Sequence, residues 1–360
     1  MRKRIKTIAL QHLPYSLLNL GRQARGEYRK HRSYMLGATG WGTKEDHIEA
    51  LKRGFLSSPD IEKYFSEIGG QGESELRWGK AFNFYRNNGS PEKKIKLLWA
   101  DGPSPGNFGD WLSPYIINKL TDRRIELVDD YKPANSKHLV AIGSLAPAIT
   151  QHAHVLGAGA ATKTAKMNPA AIYHSVRGPY SAKILEKAGG KVVDQFGDLG
   201  FILSKLYRPK KREMDAEVLL VRHMNHATPA MKLSSGVLEL SIRAAGPDDI
   251  ENFVDALFSV GKVVTSAMHC FIVCQSYGIP CALVNFTELS NAVYGDGMKY
   301  ADTMAGAGLR ERVPAMVSLD SDFRNIDSII FDDFVSDRAI AEIEEHARAS
   351  LEVFLKDESC

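Results

Sequence analysis

The chain has 360 residues, 44% of them apolar and 25% charged, the balance of a folded soluble protein with room for one large core or two ordinary ones. Its net charge of +3 is too small to argue for a nucleic-acid partner, and its aromatic residues are not interleaved with basic ones in a stacking pattern. Four cysteines, Cys270, Cys274, Cys281 and Cys360, have the spacing of neither a zinc knuckle nor a C-x-x-C redox motif. Buried thiols in a reducing compartment are the favoured reading.

The opening stretch, MRKRIKTIALQHLPYSLLNLGRQ, is basic, but Gln, His, Pro, Ser and Asn break its apolar runs. It has neither the core of a signal peptide nor the length of a membrane helix. A cytoplasmic protein is expected, with the sequons at Asn88 and Asn285 accidental. Residues 1–40 carry nine Lys and Arg against the single acid Glu27. Such a segment can rest on anionic lipid, giving peripheral membrane contact, or on an acidic partner; a solvated helical extension is favoured over both. DHIEALKRGFL and DIEKYFSEIGG carry helical spacing, so residues 1–93 are expected to form a basic helical N-terminal extension. NNGSPEKK at 87–94 reads as its linker.

From residue 94 short apolar runs alternate with helical patterns. KIKLLWA, HLVAIGSL, HVLGAGA and IYHSV read as buried strands, and after the basic break RPKKREMD come EVLLVRH, LELSIRA, KVVTSAM and PCALVNF. Alternation of this kind implies parallel sheets covered on both faces. The predicted fold is α/β, two Rossmann-like domains facing a cleft, at 94–207 and 212–333, with a C-terminal amphipathic helix at 334–360.

Ligands of open parallel sheets sit beyond the carboxyl ends of the strands, so the residues just after each run are the candidates. After LLWADG comes Pro-Gly-Asn-Phe-Gly-Asp, in which Asn107, Gly109 and Asp110 lie at or near a helix start. Free N–H groups there can hold an anion or a sugar hydroxyl, although Asn107 or Asp110 as a plain cap is equally consistent. GAGAATKT at 157–164 lacks the third glycine and the distant acid of a dinucleotide fingerprint. Arg177 follows a strand and precedes Gly-Pro, a place from which it can fork onto a carboxylate or phosphate; a salt bridge is the alternative. Asp198 sits on the Gly-flanked turn QFGDLG. Arg222, His223 and His226 close the first strand of the second half; without a nearby carboxylate their H-x-x-H spacing is not read as a metal site, and no metal is expected. His269 opens an apolar helix ending at Gly278-Ile279-Pro280, where its cationic form is disfavoured unless an anion neutralises the site. A core histidine remains the alternative.

NFGDWLSPYII, SVRGPYSAKILEKAG, QFGDLG, VRHMNH, the Ser-x-x-His–helix–GIP block and GDGMKYADTMAGAG together resemble, in order and spacing, the polysaccharide pyruvyltransferase family over residues 95–310. The resemblance implies a glycosyltransferase-B-like domain pair. It also implies phosphoenolpyruvate as donor substrate, no further cofactor, and a saccharide acceptor, free or lipid-linked, that becomes a pyruvate ketal during cell-surface polysaccharide (exopolysaccharide) biosynthesis. Ketal transfer needs a general acid and a base or hydroxyl-orienting group, and His269 is expected as the acid and Asp110 as the group that orients or deprotonates the acceptor, with the two roles exchangeable. Asn107, Gly109 and Asp198 fall in the family's substrate-binding motifs, Arg177, Arg222 and His223 hold the donor, and Lys299 closes over it. Some relatives carry Arg two residues before the motif histidine; Ala267 stands there here. A nucleotide-sugar-dependent glycosyltransferase and a non-catalytic saccharide or phospho-ligand binder on the same fold are the rival readings.

Overall fold

The computed structural model describes residues 72–102, 106–128, 136–331 and 333–356. The expected membrane or acidic contact of residues 1–40 lies outside the described residues, as does most of the predicted extension. The first half comprises α1 (Gly72–Asn87), β1 (Ser90–Leu98), α2 (Phe108–Thr121), β2 (Arg123–Leu127), β3 (His138–Val140), β4 (Ala153–Leu156), β5 (Ile172–Ser175), α3 (Pro179–Lys187) and α4 (Leu203–Leu206). The second comprises β6 (Val218–Val221), β7 (Val237–Glu239), α5 (Pro247–Phe258), β8 (Lys262–Thr265), α6 (Met268–Tyr277), β9 (Cys281–Phe286), α7 (Met298–Gly306), β10 (Ala315–Val317), β11 (Ile330–Phe331) and α8 (Asp337–Lys356).

The strands form two sheets. One holds five parallel strands in the order β2-β1-β3-β4-β5, and the other runs β10-β9-β8-β6-β7, all parallel, with β11 antiparallel on β9. The chain is therefore α/β with two Rossmann-like domains. The eight apolar runs read as strands all contain one; the inner strands β3, β4, β6, β8 and β9 are almost wholly buried, whereas the edge strands β5 and β7 expose Ile172 and Leu238. The stretch 87–94, read as a linker, instead contains the start of β1, where Ser90 pairs with Arg123 before the register shifts at Ile95.

One apolar core runs through both halves. It joins Trp78, Phe82 and Trp111 of the first to Phe253, Phe271 and Phe331 of the second, while separate clusters cover the outer face of each sheet. Between the domains, the Phe108 and Phe253 rings lie with centroids 4.2 Å apart, and the Phe108 N–H donates to Ile242 O. Such a ring pair is worth about 0.5–1.5 kcal/mol beyond its buried area. α8 packs back onto the first domain against β4 and the turn Leu199–Ile202.

α6 is the element that brings the two domains' chemistry together. It is buried from Met268 to Ser276, because Cys, Phe, Ile and Val occupy every side of it. It packs against α2 and the Leu199–Ile202 turn as well as its own sheet. Its end is a Schellman cap: Gly278 takes φ 66°, and Ile279 N–H returns to Cys274 O at 2.9 Å. Pro280 prevents continuation and delivers the chain into β9.

Candidate active site

Two helix starts face each other beyond the carboxyl ends of β1 and β8. α2 starts because Asn107, in extended conformation, accepts the Gly109 N–H at 3.2 Å and satisfies an otherwise orphan donor. Asn107 thus caps the helix, and it also hydrogen-bonds the Asp110 carboxylate. α6 starts after Thr265, whose Oγ1 accepts the Ala267 N–H, but has no side-chain cap of its own.

Gly109 is where the helices touch. A Cβ built there would lie 2.0 Å from Nδ1 of His269. Any side chain there would have to push the imidazole aside, so glycine lets the ring lie directly on the first turn of α2. Asp110 follows at once, its Oδ1 against Gly143 in the turn after β3. Burial pushes its pKa up to about 6, opposed by His269, Asn107 and Lys299 and reinforced by Asp101. Asp110 therefore changes charge close to neutrality.

On the far side of the imidazole lies Asp198. It caps the turn Leu199–Ile202 through Oδ1, which accepts the Gly200 N–H at 2.8 Å. Its Oδ2 stands 3.6 Å from His269 Nε2. Asp198 is 0% exposed, so it meets the histidine rather than a substrate. His269 is 9% exposed.

Lys299 arrives on α7, half-buried, with Nζ 3.4 Å from Tyr294 O and 5.2 Å from the centre of the Tyr300 ring. Burial lowers its pKa to about 8, Arg177 adds to the fall, and Asp110 opposes it. His223 is pushed down to about 4, first by burial and then by Lys299, His226 and His269. It is neutral at pH 7, so a hold on the donor would come from its hydrogen bonding rather than from charge. Its Nδ1 accepts the Asn225 N–H.

The two arginines expected to hold a donor are committed elsewhere. Arg177, 0% exposed, donates to Asp302, Ser144 Oγ and Ala160 O. Arg222 forks onto Glu239 at 2.7 and 2.8 Å and gives its remaining nitrogen to His226 O and Pro229 O. Both guanidinium groups hold protein together, because carboxylates (buried Asp302 and partly exposed Glu239) and backbone carbonyls use their donors. Sequence reasoning missed Asp302 and Ser144, whose roles depend on contacts between distant segments. The spacing Lys299-x-x-Asp302 on one helical face was the available signal.

His226 is also structural in its contacts, with Nδ1 2.8 Å from Ser266 Oγ. Among the described residues no group of three or more His, Cys, Asp or Glu could hold a metal ion. Cys270, Cys274 and Cys281 are free buried thiols whose pKa values burial raises. Among the described residues no helix is long and apolar enough to cross a membrane.

No protein-family profile matches the chain, and no solved structure matches it. An "uncharacterized protein" of Acanthamoeba polyphaga mimivirus is 26% identical over 213 residues, covering 56% of this chain and 71% of that protein.

Proposed function

We propose that the protein is a transferase that moves the pyruvyl unit of phosphoenolpyruvate onto two hydroxyls of a saccharide, forming a pyruvate ketal. The observation that carries this reading is the packing of His269 onto Gly109 beside Asp110, with Lys299 close enough to act electrostatically on Asp110, at the facing ends of two parallel sheets. It supplies an imidazole, a carboxylate that titrates near neutrality and a cation in one partly desolvated place, as ketal transfer needs. The sequence resemblance to polysaccharide pyruvyltransferases points the same way.

In this reading His269 delivers a proton to the methylene carbon of the donor, converting it to a methyl group. The neighbouring carbon is then attacked by a saccharide hydroxyl, whose proton passes to Asp110. The resulting phospho-ketal loses phosphate when a second hydroxyl attacks that carbon, and the second hydroxyl's proton leaves with the phosphate. Asp110 passes the first hydroxyl's proton on to His269, restoring both groups, so that of the two hydroxyl protons one ends on carbon and one on phosphate, and two C–O bonds to the saccharide replace the C–O bond to phosphate and the C=C π bond.

Lys299 is the assigned cation left uncommitted to a carboxylate, since Arg177 and Arg222 are paired. The uncapped first turn of α6 adds N–H groups that suit a phosphate. The test is incubation with phosphoenolpyruvate and a panel of free and lipid-linked saccharides, following phosphate release and acceptor mass. Phosphate release matched by a pyruvate adduct supports the proposal. Stabilisation by UDP instead, without phosphate release from phosphoenolpyruvate, supports a nucleotide-sugar enzyme. Binding of phosphoenolpyruvate with no turnover on any acceptor supports a binder.

A further inference from the structure

Asp198 and His269 face each other through atoms that have no other hydrogen-bond partner. Among the described residues, Asp198 Oδ2 and His269 Nε2 are both buried and neither makes a hydrogen bond within the protein. They stand 3.6 Å apart, just beyond hydrogen-bond length. An orphan carboxylate oxygen and an orphan ring nitrogen would each be costly alone. Together they form one acceptor and one donor. The carboxylate cannot swing away, because its other oxygen is fixed by the Gly200 N–H and its side chain is 0% exposed. Small closures of this kind are common when a site fills, since apo hydrogen bonds between catalytic groups are often long.

We infer that Asp198 is a positioning residue that holds the proton of neutral His269 on Nε2, leaving Nδ1 as the nitrogen that exchanges a proton with substrate. Nδ1 is the atom lying over Gly109, whose chain neighbour Asp110 feels the imidazole electrostatically, so the exchanging nitrogen is on the side of the other candidate group. The tautomer follows from chemistry: an ionised carboxylate only accepts, so the ring nitrogen facing it must donate. The same carboxylate stabilises the imidazolium form when the ring carries two protons. Which reaction the histidine serves rests on the transferase reading above; the tautomer does not.

The tautomer is read directly from imidazole ¹⁵N shifts in full-length protein labelled at histidine, with the His269 signal identified by its loss in His269→Gln. In wild type the neutral ring should carry its proton on Nε2. A proton found on Nδ1 overturns the inference without any further variant. Asp198→Asn keeps an oxygen for the Gly200 N–H and turns an NH₂ toward Nε2, so the proton should move to Nδ1. An unchanged Nε2–H signal in that variant also overturns the inference. With phosphoenolpyruvate and a competent acceptor, the variant should lose about 10²–10⁴-fold in kcat, while its KM for the donor changes by less than about threefold. A wild-type protein with the expected tautomer but no phosphate release would retain Asp198's role and end the transferase reading alone.

Discussion

Asp302 holds Arg177 in a buried ion pair at 3.0 Å and at the same time caps α3, accepting the N–H groups of Tyr180 and Ser181 at 2.9 Å each. α3 has no cap of its own, because Gly178 stands in that position, and glycine is required there: a Cβ would lie 1.9 Å from Asp302 O. A residue from the second half of the chain thus finishes a helix of the first. It also fixes α7, and with it Lys299, one helical turn away on the same face. Asp302→Ala should cost about 3–5 kcal/mol, the usual consequence of leaving a buried guanidinium unpaired. Denaturant unfolding measures it, and a loss under about 1 kcal/mol would contradict the tie.

Gly109→Ala should fold but lose at least about 10²-fold in turnover, since its methyl group takes the space of the imidazole and a displacement of about an ångström at a reacting group has that effect. Steady-state kinetics in phosphate release measure this. His269→Gln should lose about 10²–10⁴-fold with an unchanged melting temperature.

Asp110 should make the protein less stable while making it active. Its folded pKa of about 6 lies above the ordinary 3.8, so the folded state binds the extra proton, and stability falls as pH rises through that interval. Asp110→Asn should therefore be more stable than wild type at pH 7 by roughly 1–3 kcal/mol, at one pKa unit to about 1.4 kcal/mol. The gain should shrink as pH drops from 6 toward 4. Melting curves across that range decide it, and an Asn variant less stable at pH 7 would remove the desolvated carboxylate from the account.

Turnover should be confined between two titrations. Below about pH 6 Asp110 gains a proton and cannot accept one from a hydroxyl; above about pH 8 Lys299 loses its charge and its hold on an anionic donor. The acidic limb should appear in kcat, and the alkaline limb in the KM for phosphoenolpyruvate. Lys299→Met should raise that KM about tenfold to a hundredfold and abolish the alkaline limb.

His223 gives the opposite stability slope. Its folded pKa of about 4 lies below the ordinary 6.5, so the unfolded chain binds the proton first and stability is lost as pH falls from 6.5 toward 4. His223→Gln should flatten that loss in acid unfolding curves. An unaltered acid slope would mean that the ring is better solvated than its surroundings indicate.

The sheets were legible because a strand buried on both faces is a continuous apolar run, as VLLV and CALVNF show. The strands that escaped notice lacked that mark. β2 reads RRIEL, with charges on both sides of its one buried Ile125, and β11 is two residues long. Asp110 and His269 were legible as residues following strands. The fates of Arg177 and Arg222 were not, because a cation after a strand looks the same whether it meets a ligand or a carboxylate brought to it by the fold, and Glu239 stands 17 positions from Arg222 on the neighbouring strand. Asp302 lies 125 positions from Arg177, and no local pattern announces the pairing.

The most direct test of the account is transfer run in deuterated water with phosphoenolpyruvate and a competent saccharide, with the product methyl group examined by mass and NMR. The product should be a ketal whose methyl carries solvent deuterium, formed with release of one phosphate per ketal, and both should be lost in His269→Gln. A product that keeps its methylene group, or a deuterated ketal formed at the wild-type rate by His269→Gln, would contradict it.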